Sequence, residues 1–155
     1  MKNFMAFLLV SFLSFGVNSA FATDRSKAEK PEDIVTSLYR DFGYEIQEEI
    51  TSKPLLADQT PTVLKKSFTS KLAELIAKER KQEKATKELG PINFVILCGS
   101  QDPGGINNIR IAMKRGTNVV EVLYDQNGEK DVMTIDYRMV KTDNGWRISD
   151  IDYKE

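Results

Sequence analysis

The sequence contains no histidine, a single cysteine and no excess of basic charge. Each absence removes a class of function. Ser-His-Asp and Cys-His nucleophilic systems lose the general base on which they depend. Histidine-ligated zinc is excluded, and one thiol cannot supply a thiolate cluster, so no metal and no cofactor is expected. With 22 Lys plus Arg against 23 Asp plus Glu, the chain lacks the basic surplus that neutralising a run of phosphates requires, and nucleic acid is excluded as a partner. One cysteine forms no internal disulfide, so stability must come from burial. Cys98 closes the apolar run Phe94-Val95-Ile96-Leu97, which favours a small buried hydrophobe over a reactive thiol or an intermolecular bridge. The chemistry left open belongs to carboxylates, Lys, Tyr and backbone groups.

What is present begins with an export signal. Lys2 precedes an apolar run from Phe4 to Val17, broken by Ser11, Ser14 and Gly16. The run is short of the ~20 apolar residues a membrane span needs. It leads into Ala20-Phe21-Ala22, whose alternating small residues suit signal peptidase, so residues 1–22 read as a cleavable signal peptide with the cut after Ala22. The expected compartment is the periplasm or the exterior, with no membrane span after cleavage. Removing Lys2 shifts the formal net charge from −1 to −2. Residues 23–30 are polar and charged without periodicity and read as a flexible leader. Residues 31–155 then suffice for one domain.

Pro31, Glu32 and Asp33 suit a first helical turn, and Ile34, Val35, Leu38, Tyr39 and Phe42 line one face of a helix ending at Gly43. Tyr44 to Gln59 reads as a loop with at most a short helical turn. Thr60-Pro61 starts a second helical region carrying Val63, Leu64, Phe68, Leu72, Leu75 and Ile76, with Thr69 opening a further helix. The charged segment after Ile76 reads as a solvated helix end, supported by the pairs Glu74–Lys78 and Glu83–Lys87 and stopped at Gly90. From Ile92 the period changes to two. Ile92 to Leu97 reads as a short strand or an extended segment over the core, and Cys98 to Asn108 as a loop. Further strands start at Ile109, Val119, Met133 and Trp146. Asn127-Gly128 and Asn144-Gly145 turn the chain, and a phase change between Ile148 and Ile151 implies a bulge near Ser149-Asp150. Helices followed by an antiparallel meander specify an α+β domain, with N-terminal helices packed on a curved antiparallel β-sheet.

The ending Asp136-Tyr137-Arg138-Met139-Val140, then Asn144-Gly145-Trp146-Arg147-Ile148-Ser149-Asp150-Ile151-Asp152-Tyr153, resembles the terminal hairpin of the cone-shaped fold named after nuclear transport factor 2. With Tyr39, Phe68 to Leu75 and Gln101-Asp102, residues 31–155 are similar to the small exported bacterial proteins called domain of unknown function 3828. That superfold hosts isomerases, dehydratases, carriers and binding modules. The resemblance implies that any catalytic base is a carboxylate at the mouth or floor of the cone, with Asp102, Asp136 and Asp150 as candidates and Tyr39, Tyr124 or Tyr137 as proton donors. It implies ligand contacts at Tyr39, Gln101, Tyr137 and Trp146. Each has a structural reading too. Asp102 would cap its own loop, Asp136 would pair with Arg138 or Arg147, Asp150 would serve the bulge, and Trp146 would belong to the core.

Three functions follow as expectations. The first is a periplasmic, non-catalytic binding module holding an envelope protein or a small apolar ligand. The others are an inhibitor or immunity protein against an envelope-acting toxin, and a carboxylate-dependent isomerase or hydrolase.

Overall fold

The computed structural model describes residues 29–154 apart from 48–51, 89, 91–93 and 102. The expected signal peptide, its cut after Ala22 and the leader up to Ala28 lie outside the described residues, as does Asp102.

Helix α1 spans Pro31–Phe42 and buries Ile34, Val35, Leu38 and Tyr39 on the anticipated face. Its entry is fixed by the Lys30 backbone N–H donating to the Asp33 carboxylate at 2.9 Å. Gly43 stays right-handed at φ −59°, so it does not act as a left-handed stop. The chain tightens instead into a 3₁₀ turn, Gly43–Ile46, that carries Glu45 and Ile46 into buried positions. A second 3₁₀ turn, Leu56–Asp58, buries Leu56. Helix α2, Pro61–Leu64, is a single turn, and helix α3 runs Ser70–Thr86. Between them, residues 67–69 lie parallel to a sheet edge. The Thr69 N–H donates to the Ile148 carbonyl at 2.9 Å, and the Ile148 N–H donates to the Ser67 carbonyl at 2.8 Å.

Helix α3 starts where expected, with the Thr69 hydroxyl accepting from the Leu72 N–H at 3.4 Å. It buries Ala73 and Ile76 but leaves Leu75 46% exposed, outside the stripe. It ends at Lys87, which is left-handed at φ 58°, three residues before Gly90. Thr86 explains the early stop: its hydroxyl donates to the Gln82 carbonyl and accepts the Glu88 N–H, competing with the helical ladder. The charged flank also pairs differently from expectation. Glu74 meets Lys65, at the end of α2, at 2.7 Å, and Glu83 meets Arg80, one turn earlier on the same helix, at 2.6 Å.

Four strands form one antiparallel sheet in the order β1-β2-β3-β4: Ile106–Met113, Val119–Gln126, Glu129–Thr142 and Gly145–Lys154. Asn127 and Gly128 take φ 53° and 84°, the conformation a two-residue hairpin with right-handed strand twist demands. The bulge in β4 falls at Ser149, whose hydroxyl donates to the Arg138 carbonyl at 3.1 Å. A second bulge, not anticipated, lies between Asn107 and Arg110. Asn108 is left-handed there at φ 51°, and Ile109 is left exposed, out of phase with the half-buried Ile111 and Met113.

The register gives the two sheet faces different compositions. Ile111, Val122, Ile135 and Tyr153 form one inward row, and Met113, Val120, Tyr137 and Ile151 the next. Ala112, Glu121, Asp136 and Asp152 form a row on the opposite face. Helix α1 and the segment after α3 pack on the inward rows, and this is the core. An α+β fold of helices on a curved antiparallel sheet is therefore present. Over its described residues, 94–97, the expected strand or extended segment from Ile92 is not formed. Residues 91–93 lie outside the described residues, and Val95–Ser100 is a tight turn closed by the Val95 N–H donating to the Ser100 carbonyl at 2.9 Å. Among the described residues no helix is long and apolar enough to cross a membrane.

Candidate binding site

The turn at 95–100 pushes Ile96, Leu97 and Cys98 against the inner face of the sheet, at exposures of 2%, 0% and 0%. A tight turn leaves successive carbonyls without backbone partners, and burying them unpaired would cost about 1–3 kcal/mol each. Tyrosines satisfy them. Tyr153 donates to the Ile96 carbonyl at 2.8 Å, Tyr39 to the Leu97 carbonyl at 2.6 Å, and Tyr124 to the Cys98 carbonyl at 2.7 Å. Tyr39 has one hydroxyl proton, committed to Leu97, so the 3.1 Å contact between the Tyr39 and Tyr137 hydroxyls has Tyr137 as donor. The two rings also meet edge to face at 87°, with centroids 6.3 Å apart. Gly99 makes the turn possible. It sits at φ 68°, and a Cβ there would fall 2.4 Å from the Tyr153 ring.

Burial raises the pKa of all four phenols, that of Tyr124 to about 12. They are neutral donors at any physiological pH. Tyr39 and Tyr137, nominated as ligand contacts, are thus brought together, but around the protein's own turn. Cys98 is a free, buried thiol whose pKa burial pushes up to about 11, the environment of an inert side chain.

The nominated carboxylates Asp136 and Asp150 take no part in this hydrogen-bond network. Asp136 is on the opposite sheet face from Tyr137, held by Lys114 at 2.8 Å and by Lys154. Its expected partners, Arg138 and Arg147, are not its partners: Arg138 reaches Asp150, and the Arg147 Nε donates to the Lys65 carbonyl at 2.9 Å. Desolvation pushes the Asp136 pKa up, but the two ammonium groups overcome it and hold the carboxyl below the usual aspartate range. Lys114 also bridges to Glu121 at 2.8 Å, relieving the repulsion between neighbouring acids in that row. Asp150 is 64% exposed and faces Arg138 at 3.4 Å; the bulge is served by Ser149 instead. Trp146 is half-buried against the core. Among the described residues, no cluster of His, Cys, Asp or Glu is arranged to hold a metal ion.

Two nominated residues, Gln101 and Asp150, do border open spaces. A cavity of about 210 Å³ is walled by Glu45, Leu55, Ala57, Arg80, Phe94, Val95, Ile96 and Gln101. Phe94 and Ile96 also wall a second, more apolar space of about 150 Å³, together with Leu72, Ile76, Ile151, Tyr153 and the nominated Asp150. Phe94 stands against Tyr153 with ring centroids 5.1 Å apart. The turn that fills the sheet thus lends its outer side to a cleft.

Glu45 is the polar feature of this cleft, and the sequence offered no sign of it. Its Oε1 accepts the Leu56 N–H, tying the two 3₁₀ turns together, and its Oε2 accepts no hydrogen bond from another described residue. Burial pushes its pKa up from 4.5 to about 7; the Leu56 hydrogen bond and Arg80 lower it, and Asp58 raises it. Arg80 is occupied. Its Nε donates to Asp58 at 2.9 Å and its Nη1 to Glu83 at 2.6 Å, while Lys84 adds to Asp58 at 2.7 Å. Arg80 in turn holds the Asp58 pKa below the usual range.

No family model, curated protein or solved structure matches this chain. The site is accordingly argued from its geometry.

Proposed function

We propose that this chain is an exported, non-catalytic binding module that takes a small apolar ligand, or an apolar side chain of an envelope protein, in the cleft beside Phe94. The observation that carries this reading is the turn Val95–Ser100. It occupies the inner face of the sheet, and the Tyr39, Tyr124, Tyr137 and Tyr153 hydroxyls all bond inside the protein. A sheet interior filled in this way leaves binding to the cleft outside the turn. A cavity of about 210 Å³ falls below the ~300–1,000 Å³ typical of drug-sized ligands, which favours a small ligand or a single anchoring side chain. Residues 1–22 as a cleaved signal peptide give the envelope location. The order of helices then meander, ending in the hairpin Asp136 to Tyr153, supports the cone fold and its exported family as part of the same proposal.

A carboxylate-dependent isomerase or hydrolase is the second reading, and Glu45 is the observation that favours it. A buried carboxyl titrating at about 7 beside a cavity has the properties of a general base. Titrating residues 23–155 with 1-hexanol while recording amide spectra tests the first reading. Shifts confined to Phe94, Ile96, Leu72 and Ile151, and lost in Phe94→Ala, are the expected result. Shifts absent from the cleft, or unaffected by Phe94→Ala, would sink it.

A further inference from the structure

The polar end of the cleft carries a charge pattern that selects among ligands. Glu45 from the first 3₁₀ turn and Arg80 from α3 wall the cavity there, and behind them Arg80 is tied to Asp58 and Glu83, with Lys84 on Asp58. With Glu45 ionised, three acids stand against two bases. An incoming anion would need the Arg80 guanidinium, but its Nε and Nη1 already donate to Asp58 and Glu83. A cation meets the opposite situation. Glu45 is 8% exposed, lines the cavity and keeps Oε2 without a partner among the described residues. Phe94 adds a ring whose face attracts a positive charge. Gln101 at the rim offers an amide oxygen as a further acceptor.

We propose that the cleft binds the ammonium head of a small aliphatic amine, Glu45 Oε2 accepting its N–H while the alkyl chain lies beside Phe94 and Ile96. This deepens the cleft reading and rests on it. The ammonium supplies the charge that burial denies the carboxylate, so the amine binds best with Glu45 deprotonated. The raised pKa of Glu45 places that requirement near neutrality. Asp58, Arg80 and Cys98 are its other titratable neighbours, and Asp58 and Arg80 stay ionised throughout this range.

The test compares n-hexylamine, 1-hexanol and hexanoate by amide-spectrum titration, at about pH 8 and about pH 5.5, against wild type and Glu45→Gln. Gln keeps an acceptor for the Leu56 N–H, so the variant retains the fold. The expected result is hexylamine binding about tenfold tighter than hexanol at the higher pH, as a charge-assisted hydrogen bond implies. That preference disappears at the lower pH and in Glu45→Gln. Equal affinity for amine and alcohol overturns the amine assignment and leaves the cleft reading standing. Preference for hexanoate overturns the charge argument. Failure of all three probes to shift the cleft residues overturns both the assignment and the reading beneath it.

Discussion

The inner face of the sheet and the cleft beside it share the residues 94–98 but resolve their polar groups in opposite ways. On the inside, three consecutive carbonyls receive three phenol protons, and the fourth phenol donates to one of its neighbours. On the outside, Glu45 spends one oxygen on Leu56 and keeps the other without a partner among the described residues, while its pKa is lifted towards neutrality. A saturated network makes a rigid wall; an unsaturated carboxyl at the edge of a space makes a site. The resemblance nominates Tyr39 and Tyr137 as ligand contacts, yet their hydroxyls bond within the protein.

The sharpest break of this contrast comes from emptying the inside. Leu97→Ala removes a fully buried side chain from the apex of the turn and should cost about 3 kcal/mol in denaturant-induced unfolding, within the ~2–5 kcal/mol range for such truncations. A loss under ~1 kcal/mol would mean that the turn is not packed as described. Tyr39→Phe should cost roughly 1–3 kcal/mol without creating a cavity, because it strips the donor from the Leu97 carbonyl and the acceptor from Tyr137. Hexanol binding in the cleft should survive this change, since the hydroxyl lies on the other side of the turn.

Glu45 breaks the comparison from the outer side, through pH. Its folded pKa lies above its unfolded value, so between about 4.5 and about 7 the native state holds more protons than the unfolded chain. Stability from this group is complete below that window and is lost as pH rises through it. Asp58 and Asp136 act with the opposite sign and at lower pH, since their depressed pKa values add stability that disappears only on acidification. No histidine exists to titrate in the same window. Unfolding free energy measured across that window should therefore decline in the wild type and stay flatter in Glu45→Gln. Parallel curves would show that Glu45 is not buried as described.

Much of the fold was legible because it depends on local signals. Thr60-Pro61, Thr69, Asn127-Gly128 and the phase change at Ser149 each fix a backbone conformation within a few residues, and all appear where expected. The early end of α3 is a local misreading, made by the Thr86 hydroxyl, but the two that shape the site come from long-range contact. Phe94 to Cys98 has a strand composition, yet Gly99 and the three phenols fold it into a turn, and those phenols come from α1, β2 and β4. Glu45 carried no signal because its burial depends on Leu56 and on α3, neither of which is near it in sequence. Gln101 and Asp150 are the nominated residues found beside the cleft, on a resemblance rather than on chemistry.

The smallest expected effect separates two carboxylates that the sequence ranked together. Asp136 and Asp150 are both aspartates on the outer face of neighbouring strands, and both face cations. Asp136 has a side chain 9% exposed and binds two lysines, whereas Asp150 is 64% exposed and faces one arginine at 3.4 Å. Exposed pairs gain little because water screens them and two long side chains must be ordered. Asp150→Asn should accordingly change unfolding free energy by less than about 0.5 kcal/mol at neutral pH. Asp136→Asn should cost more, and the difference should shrink on acidification, because the wild-type carboxylate loses its lysines as it protonates. Equal losses at neutral pH would place the two aspartates in equivalent environments and remove the distinction between a closed ion-pair cluster and an open one.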